Sequence, residues 1–251
     1  DDHFSQARLF WLSMSPVEQD HIVQAYTFEL GKCYDQTIRE RQLLCLARID
    51  ADLASEVAAG LGMPAPAPAV DGPEPTRSPA LSQLGQSWPV EGRTVGIVVD
   101  LTSDAAAVSE LVDALSSDGL VPLLVAPTGG PVWPDRREVA HRTLLTARSV
   151  EFDAIVVAAV LPPGPLTAQG MDAKAAADAD PGVDPRLTLL VDEAYRHAKA
   201  IGILGGAEDA AALGLEPDAV GTVLGDAASV AAGLVDGLAT HRAWDRFTPA
   251  R

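Results

Sequence analysis

Basic and aromatic residues are both scarce in this chain of 251 residues. Lysine and arginine number 18 against 35 aspartates and glutamates, so the formal net charge at pH 7 is −17. A chain this acidic repels phosphate backbones and anionic lipid surfaces, and we therefore expect neither nucleic acid nor a membrane among its partners. Aromatic side chains make up only 5% of the residues, so alanine, valine and leucine have to fill most of the core.

Cysteine is nearly absent, and no apolar run is long enough for a membrane. Cys33 and Cys45 are the only two cysteines, and their spacing matches no zinc site. We expect them to be reduced packing residues of a cytoplasmic protein. No stretch approaches the roughly 18 apolar residues of a membrane-spanning helix, and no signal peptide is visible. Because the chain starts at Asp1 within helical sequence, we expect it to be a fragment of a longer protein.

Residues 1–62 have the pattern of a helical arm. Ser15–Glu18 is a capping box with proline at the first helical position, and it predicts a helix that ends at Gly31. Thr37–Glu40 repeats this signal for a second helix that ends at Gly60. The second helix carries an apolar stripe made of Leu46, Ile49, Leu53 and Val57. Two helices cannot bury such stripes against each other alone, so we expect the arm to need a partner surface.

Residues 63–93 and 94–251 differ from the arm and from each other. The first segment contains seven prolines, which predict a stiff, extended linker. In the second segment, continuous apolar strands alternate with amphipathic helices. The predicted strands are 94–99, 121–126, 154–160 and 201–204, and the predicted helices are 103–117, 186–198 and 227–240. Strands without polar alternation are buried on both faces, so we predict an α/β domain with a flavodoxin-like, doubly wound parallel sheet.

Two blocks of the sequence resemble large-subunit catalases. The first is similar to the helical tail that follows the β-barrel of catalases, and its matching segments are Ser5–Pro16, Glu18–Val23, Phe28–Leu30, Arg39–Arg41 and Ala47–Asp50. The second is similar to the extra domain of the large-subunit enzymes, in Phe152–Val157, Glu193–His197 and Thr240–Trp244. The resemblance covers nearly the whole chain except the proline-rich linker.

The resemblance implies that the intact protein is a haem-bearing homotetramer that converts hydrogen peroxide to water and oxygen. Its partners would then be the haem domain of its own chain and the sister subunits. The family's haem-ligating tyrosine and its distal histidine and asparagine belong to earlier segments. Tyr26, Tyr34 and Tyr195 do not lie in the haem-ligand motif, and the sequence has no asparagine. We therefore expect neither haem nor catalase activity in this chain, and we interpret His21 and His241 as ordinary surface or capping residues.

The carboxyl-terminal domain also resembles the class I glutamine-amidotransferase-like superfamily, which includes deglycases and heat-shock chaperones. Active members carry a nucleophilic cysteine on a tight turn between a strand and a helix. Here Leu204 stands at the cysteine position, followed by Gly205 and Gly206. Asp104 matches the acidic partner, but without a nucleophile it has nothing to activate. The next histidine is His241, so we predict a degenerate elbow without a catalytic residue.

Two further segments of the sequence have residues that could bind an anion or a metal ion. The turn at Gly205 and Gly206 could bind an anion at the following helix terminus, but a plain backbone turn is the preferred interpretation. The glycine spacing matches no dinucleotide fingerprint. Asp178, Asp180 and Asp184 could form a metal cluster, but they lack the order of a calcium loop. We expect them to lie in a solvated loop, and we predict neither a metal nor another cofactor.

These patterns favour a non-catalytic domain with a stabilising role and an ATP-independent, chaperone-like activity toward unfolded client proteins. The superfamily resemblance, the negative charge and an exposed stripe on the arm are its motives. One alternative is a purely architectural domain that stabilises the tetramer. A second alternative is a cryptic deglycase or hydrolase, which Leu204 argues against.

Overall fold

A computed structural model describes residues 2–134, 136–163 and 182–247. The chain folds as two compact units. The first extends to Leu84 and the second comprises Gly85–Arg246. No helix among the described residues is long and apolar enough to cross a membrane.

The first unit contains four helices. They are α1 (Ser5–Ser13), α2 (Pro16–Gly31), α3 (Gln36–Ile49) and α4 (Ala51–Gly60). The capping box predicted before α2 is confirmed, because the Ser15 hydroxyl accepts from the Glu18 N–H at 3.3 Å and the Glu18 carboxylate accepts from the Ser15 N–H at 2.8 Å. The backbone N–H groups of Ser15 and Glu18, at the amino terminus of α2, therefore both have hydrogen-bond acceptors.

The predicted second helix is wrong in two respects. Its cap is Asp35 and not Thr37, because the Asp35 carboxylate accepts from the Thr37 N–H at 2.8 Å. The helix also does not continue to Gly60, since Asp50 adopts an extended conformation with φ −159° and ψ 142°. Its carboxylate accepts from the N–H groups of Asp52 and Leu53 and so begins α4. Aspartate competes for helix caps with its short side chain, and this preference outweighs the continuous apolar spacing.

The apolar stripe predicted for one helix is shared between α3 and α4 and is not exposed. Leu46, Leu53 and Val57 are buried in a cluster that also contains Trp11 and Leu43. The arm therefore has a core of its own, and the expectation that these stripe residues need an outside partner is wrong. The large apolar side chains that the arm does expose are Phe10, Phe28, Tyr34, Ile38 and Leu44.

The proline-rich segment 63–93 is tied to folded elements near both of its ends. In the first unit the Ala69 N–H donates to the Ala47 carbonyl at 3.1 Å, and a 3₁₀ turn spans Pro79–Leu81. In the second unit the Trp88 N–H donates to the Ala239 carbonyl at 2.8 Å. Proline supplies no N–H, so these hydrogen bonds necessarily come from the residues between the prolines.

The second unit is built on a parallel sheet. Its strands are β1 (Thr94–Val98), β2 (Val121–Ala126), β5 (Arg142–Thr143), β6 (Ala154–Val157), β7 (Ala200–Leu204) and β8 (Thr222–Gly225), in the order β5-β2-β1-β6-β7-β8. Every neighbouring pair in this six-stranded sheet is parallel. Two further strands, β3 (Gly130–Pro131) and β4 (Val139–Ala140), form a short antiparallel hairpin. The prediction of a parallel α/β sheet is confirmed.

Helices cover both faces of the sheet. They are α5 (Ala105–Ser117), α6 (Pro185–Arg196), α7 (Ala207–Ala212) and α8 (Ala227–Ala239), with 3₁₀ turns at Ser149–Glu151 and Trp244–Phe247. One core joins α5 and α8 to side chains such as Ile97 and Val156. The other joins α6 and α7 to Val98, Ile155 and Ile203. Burial on both faces explains why the strands lack polar alternation.

Strand β8 was not predicted from the sequence, and neither were the β3–β4 hairpin and β5. Thr222–Gly225 is only half-buried and lies at the edge of the sheet. Gly221 precedes this strand and Gly225 ends it, and both have positive φ. Only Thr222, Val223 and Leu224 lie between these glycines, a run too short to be recognised as a strand until it pairs with β7.

Candidate functional site

The predicted elbow lies at the carboxyl end of β7. Leu204 is the last residue of the strand, Gly205 and Gly206 form the turn, and α7 begins at Ala207. The Leu204 side chain is half-buried and packs against the core that α5 and α8 form. A hydrocarbon side chain there can contribute packing but no nucleophilic atom.

The helix terminus after this turn is occupied by the chain itself. The Asp209 carboxylate accepts a hydrogen bond from the Gly206 N–H at 2.8 Å. A Cβ atom on Gly205 would overlap the same carboxylate, so a larger residue there would displace the Asp209 side chain from the turn. Glu208 adds a second negative charge to the first turn of α7. An external anion would meet two carboxylates at this point, which disfavours the anion site considered from the sequence.

The carboxylates that follow β1 are used for local structure. Asp104 is the N-cap of α5, where its carboxylate accepts from the N–H groups of Ala106 at 2.8 Å and Ala107 at 3.3 Å. Asp100, which the sequence analysis did not consider, accepts from the Thr102 N–H at 2.8 Å and from the Thr102 hydroxyl at 2.7 Å. Each carboxylate therefore stabilises the turn that carries it.

The strand order reverses between β1 and β6, which is the place where ligands bind in many open α/β sheets. The residues that follow β6 are Ala158, Ala159, Val160 and Leu161. In the part of the chain that the structure describes, this crevice brings together leucine, alanine, glycine and the capping carboxylates. After α8 the chain lies at the amino ends of the strands, where the Ala243 N–H donates to the Ala198 carbonyl at 2.7 Å. His241 therefore lies far from the elbow along the sheet.

A buried cation that was not predicted from the sequence lies at the amino ends of the strands, which form the amino edge of the sheet. Lys199 is only 6% exposed, and its ammonium group donates to the carbonyl oxygens of Ser149 and Phe152, the latter at 2.6 Å. Burial, together with a smaller contribution from the nearby Arg242 guanidinium, lowers the pKa of Lys199 to about 8, while Asp153 and Glu193 oppose the shift. One signal was available, since Lys199 directly precedes an apolar strand in a sequence with only three lysines.

Asp184 does not lie in a solvated loop, and that expectation is wrong for this residue. It is 1% exposed, caps α6 and pairs with the buried Arg186, with 2.6 Å between the guanidinium Nη2 and the carboxylate Oδ2. A second hydrogen bond joins Arg186 Nε to Asp184 Oδ1 at 3.0 Å. Asp178 and Asp180 lie outside the described residues. Within residues 2–134, 136–163 and 182–247, no three acidic, histidine or cysteine side chains meet as metal ligands.

The tyrosines of the chain do not fit an axial haem ligand. Tyr34 is fully exposed, and the Tyr195 ring lies under the Arg246 guanidinium, 4.3 Å from its centroid. Tyr26 borders an apolar groove of about 400 Å³ on the arm, beside Phe10 and Trp11. The described residues that line this groove are apolar apart from the Tyr26 hydroxyl, and no basic side chain is among them.

Family comparisons cover nearly the whole chain. Residues 91–248 match the C-terminal domain found in long catalases, and residues 1–61 match a family described as catalase-related immune-responsive. Together the two matches include all the segments in which the sequence resembles large-subunit catalases.

Individual relatives agree. The chain is 40% identical over 250 residues to catalase HPII of Pseudomonas aeruginosa, which covers 98% of this chain and 33% of the relative. It is 31% identical over 258 residues to catalase-2 of Bacillus subtilis, covering 98% of this chain and 34% of the relative. The chain is 30% identical over 254 residues to catalase-B of Dictyostelium discoideum, and this match covers 98% of the chain and 35% of the relative. The chain spans about a third of the length of these curated relatives, and it belongs to the long-catalase family as a carboxyl-terminal portion.

Proposed function

We propose that this chain is the non-catalytic, stabilising carboxyl-terminal portion of a longer haem catalase, which converts hydrogen peroxide to water and oxygen in the cytoplasm. The observation that carries the proposal is the elbow, where Leu204 replaces a nucleophile and Asp209 fills the helix terminus. The haem and the residues that ligate it would belong to the other two-thirds of the protein. Sister subunits of a homotetramer would be the remaining partners.

The finer assignment of the fold is also a proposal. We infer a flavodoxin-like domain of the glutamine-amidotransferase type from the order of its five longer strands, β2-β1-β6-β7-β8. We place the helical arm in residues 1–62, the linker in 63–93 and the domain in 94–251. The hydrogen bonds of Trp88 and Gly92 to the second unit support a domain that begins a few residues earlier.

A stabilising role agrees with the surface of the arm. Phe10, Phe28 and Leu44 are large apolar side chains that remain exposed after the arm has formed its own core. In the intact protein, contact with the haem domain or a sister subunit would remove this apolar surface from water. Such burial contributes roughly 25 cal/mol per Å² of apolar area. The arm would then connect the α/β domain to the assembly.

Deletion of residues 94–251 from the intact protein tests this function. We expect the shortened enzyme to retain its initial catalase activity, to lose that activity faster during heating, and to dissociate at lower urea concentration. Oxygen evolution and analytical ultracentrifugation measure these effects. An intact protein carrying Lys32→Met, which changes one exposed cation on the arm, is the control. Equal heat resistance of the shortened and intact enzymes would refute the stabilising role.

A chaperone-like activity is the second candidate, and the exposed side chains of the arm favour it. Leu46, Leu53 and Val57 offer no surface to a client, because these residues are buried in the core of the arm. The net charge of −17 would keep a client complex in solution. We expect the chain to reduce light scattering by heat-stressed citrate synthase without ATP, and Phe28→Ser with Leu44→Ser to weaken that effect. Val150→Ser, at an exposed residue of the second unit, serves as the matched control.

A further inference from the structure

A cavity of about 410 Å³ lies between helix α5, strand β2 and the β3–β4 hairpin. Its apolar lining includes Val108 and Val112 of α5, Leu124 of β2 and Trp133 of the hairpin loop. Leu124 and Trp133 also belong to the buried core on this face of the sheet. A cavity of this size can hold a small organic molecule, and its apolar floor would contact the apolar part of that molecule.

Hydrogen bonds hold the walls of this cavity in place. The indole N–H of Trp133 donates to the Ser103 carbonyl at 3.2 Å. The His141 N–H donates to the Leu124 carbonyl at 2.8 Å, and the Leu124 N–H donates to His141 Nδ1 at 2.9 Å. A ligand would therefore meet a preformed site, which reduces the entropy lost when it binds.

Charged side chains also line the cavity, and only some of them are paired within the chain. Glu138 forms an ion pair with Arg136, with 3.4 Å between Oε1 and Nη1. Arg137 and Asp113 line the same cavity, and neither side chain has a hydrogen bond or an ion pair among the described residues. One guanidinium and one carboxylate therefore remain available to a ligand.

His141 adds a hydrogen-bond donor whose orientation is fixed. Because its Nδ1 accepts from the Leu124 N–H, the proton of the neutral ring lies on Nε2. His141 lines the cavity, and its Nε2–H has no acceptor in the part of the chain that the structure describes. Arg137 and His141 thus offer donors to an acidic group, while Asp113 offers an acceptor to an ammonium group.

These groups suit a dipolar ligand better than a ligand with a single charge. A simple anion would be repelled by Asp113 and Glu138, and by the net charge of −17 on the chain. A simple cation would meet the Arg137 guanidinium, which has the same sign. A zwitterion has no net charge and can use both the guanidinium and the free carboxylate.

We propose that this cavity binds a small zwitterion with an apolar side chain, of the class of the free aromatic and branched α-amino acids. Arg137 and His141 bind its carboxylate, and Asp113 binds its ammonium group. Its side chain contacts Val112 and Trp133. The proposal goes beyond the stabilising role of the chain and does not depend on it.

Titration of the whole chain with L-phenylalanine near neutral pH, followed by ¹H–¹⁵N NMR, tests the site. We expect saturable shifts of the Trp133 indole N–H, which Trp133→Phe identifies among the four tryptophans. Phenylpropionate lacks the ammonium group and phenethylamine lacks the carboxylate, so each should bind at least about tenfold more weakly. Glycine has no apolar side chain and should cause no shift of this signal.

Two substitutions test the charged groups of the cavity separately. Arg137→Gln and Asp113→Asn should each weaken the binding of L-phenylalanine roughly tenfold, since each removes one charge-assisted hydrogen bond. Asp118→Asn is the matched control, because it changes an exposed carboxylate just after α5 that does not line the cavity. This control should bind L-phenylalanine as the unaltered chain does.

Three results would overturn the proposal. The first is the absence of a saturable shift of the Trp133 indole N–H up to the solubility limit of L-phenylalanine. The second is equal affinity for L-phenylalanine and phenylpropionate, which would show that the ammonium group is not recognised. The third is equal affinity of Arg137→Gln, Asp113→Asn and the control. The comparison of ligands uses the unaltered chain, so it decides the question even if a variant does not fold.

Discussion

The carboxyl ends and the amino ends of the parallel strands form the carboxyl edge and the amino edge of the sheet. The polar groups at these two edges have different roles. At the carboxyl edge, Asp104 and Asp209 bond to backbone N–H groups within three residues of themselves. At the amino edge, Lys199 reaches backbone carbonyls about fifty positions away in the sequence, at Ser149 and Phe152. Ligands and catalytic groups of such sheets belong at the carboxyl edge, and Asp104 and Asp209, which the structure describes there, act as local caps.

This difference shows that the long-range polar contacts of Lys199 lie at the amino edge of the sheet. A buried ammonium group is costly unless it is fully hydrogen-bonded, and the amino edge provides the bonds. Arg93 adds a further link at this edge, donating to the Leu238 carbonyl at 2.6 Å. Among the described residues, the long-range polar contacts thus lie at the amino edge, and the elbow at the carboxyl edge carries a leucine.

Removing the buried cation should have the largest effect. Lys199→Met keeps the length of the side chain but removes the ammonium donor of the Phe152 carbonyl and one of two donors of the Ser149 carbonyl, which also accepts from the Phe152 N–H. We expect a loss of about 2–4 kcal/mol in the free energy of unfolding. Equilibrium urea unfolding followed by circular dichroism measures it. Lys32→Met, at an exposed cation, should change the same quantity by less than about 0.5 kcal/mol. Equal stability of the two variants would remove the contrast between the edges.

The pH dependence of stability should show a smaller effect of the same residue. Burial lowers the pKa of Lys199 from 10.5 to about 8 in the folded chain. Between these values the unfolded chain binds more protons, so the free energy of unfolding contributed by this group rises with pH. We expect the difference in stability between the unaltered chain and Lys199→Met to grow from pH 7.5 to 9.5. A difference that stays constant or shrinks would show that the ammonium is not strained by burial.

Loss of a cap at the carboxyl edge should cost less. Asp104→Ala removes the acceptor for the Ala106 and Ala107 N–H groups, and we expect a loss of about 1 kcal/mol in the free energy of unfolding. Asp104→Ser is the matched control, because a serine hydroxyl caps nearly as well. If Asp104→Ala were as harmful as Lys199→Met, the carboxyl edge would carry more than local caps.

Restoring a thiol at the elbow should have the smallest effect. Leu204→Cys should create no hydrolase or deglycase activity and at most a slowly reactive thiol, since no described base lies nearby and Asp209 repels a thiolate. Hydrolysis of methylglyoxal adducts and labelling by a disulfide reagent measure both properties. The unaltered chain, with Cys33 and Cys45, supplies the background. Deglycation by the unaltered chain that Asp104→Ala abolishes would mean that the elbow has been misassigned.

Local signals explain what could be predicted of the fold. The strand at Val121–Ala126 was predicted residue for residue, because it is an apolar run bounded by Gly119 and Pro127. The buried face of α5, with Val108, Leu111 and Leu115, was likewise visible in the spacing. The break at Asp50 was hidden because apolar spacing continues across it, and only the capping preference of aspartate indicates it.

The candidate site also contains some features that the local sequence predicts and others that it does not. Leu204 and Gly206 were placed on the strand and the turn because their order in the chain is also their order in the fold. The partners of Lys199 and the bond between Leu124 and His141 could not be predicted. These contacts join residues that are brought together by strand pairing, and nothing in the local sequence specifies them.

The strand order has a consequence for synthesis on the ribosome. β1 emerges first, β2 and β5 add successively on one side of it, and β6, β7 and β8 then add in turn on the other side. Each new strand therefore meets an open edge, and none has to be inserted between strands that are already paired. Nascent chains that stop after β6 or β7 should already hold a partial sheet with an apolar growing edge, and they should be the species most prone to aggregate during production.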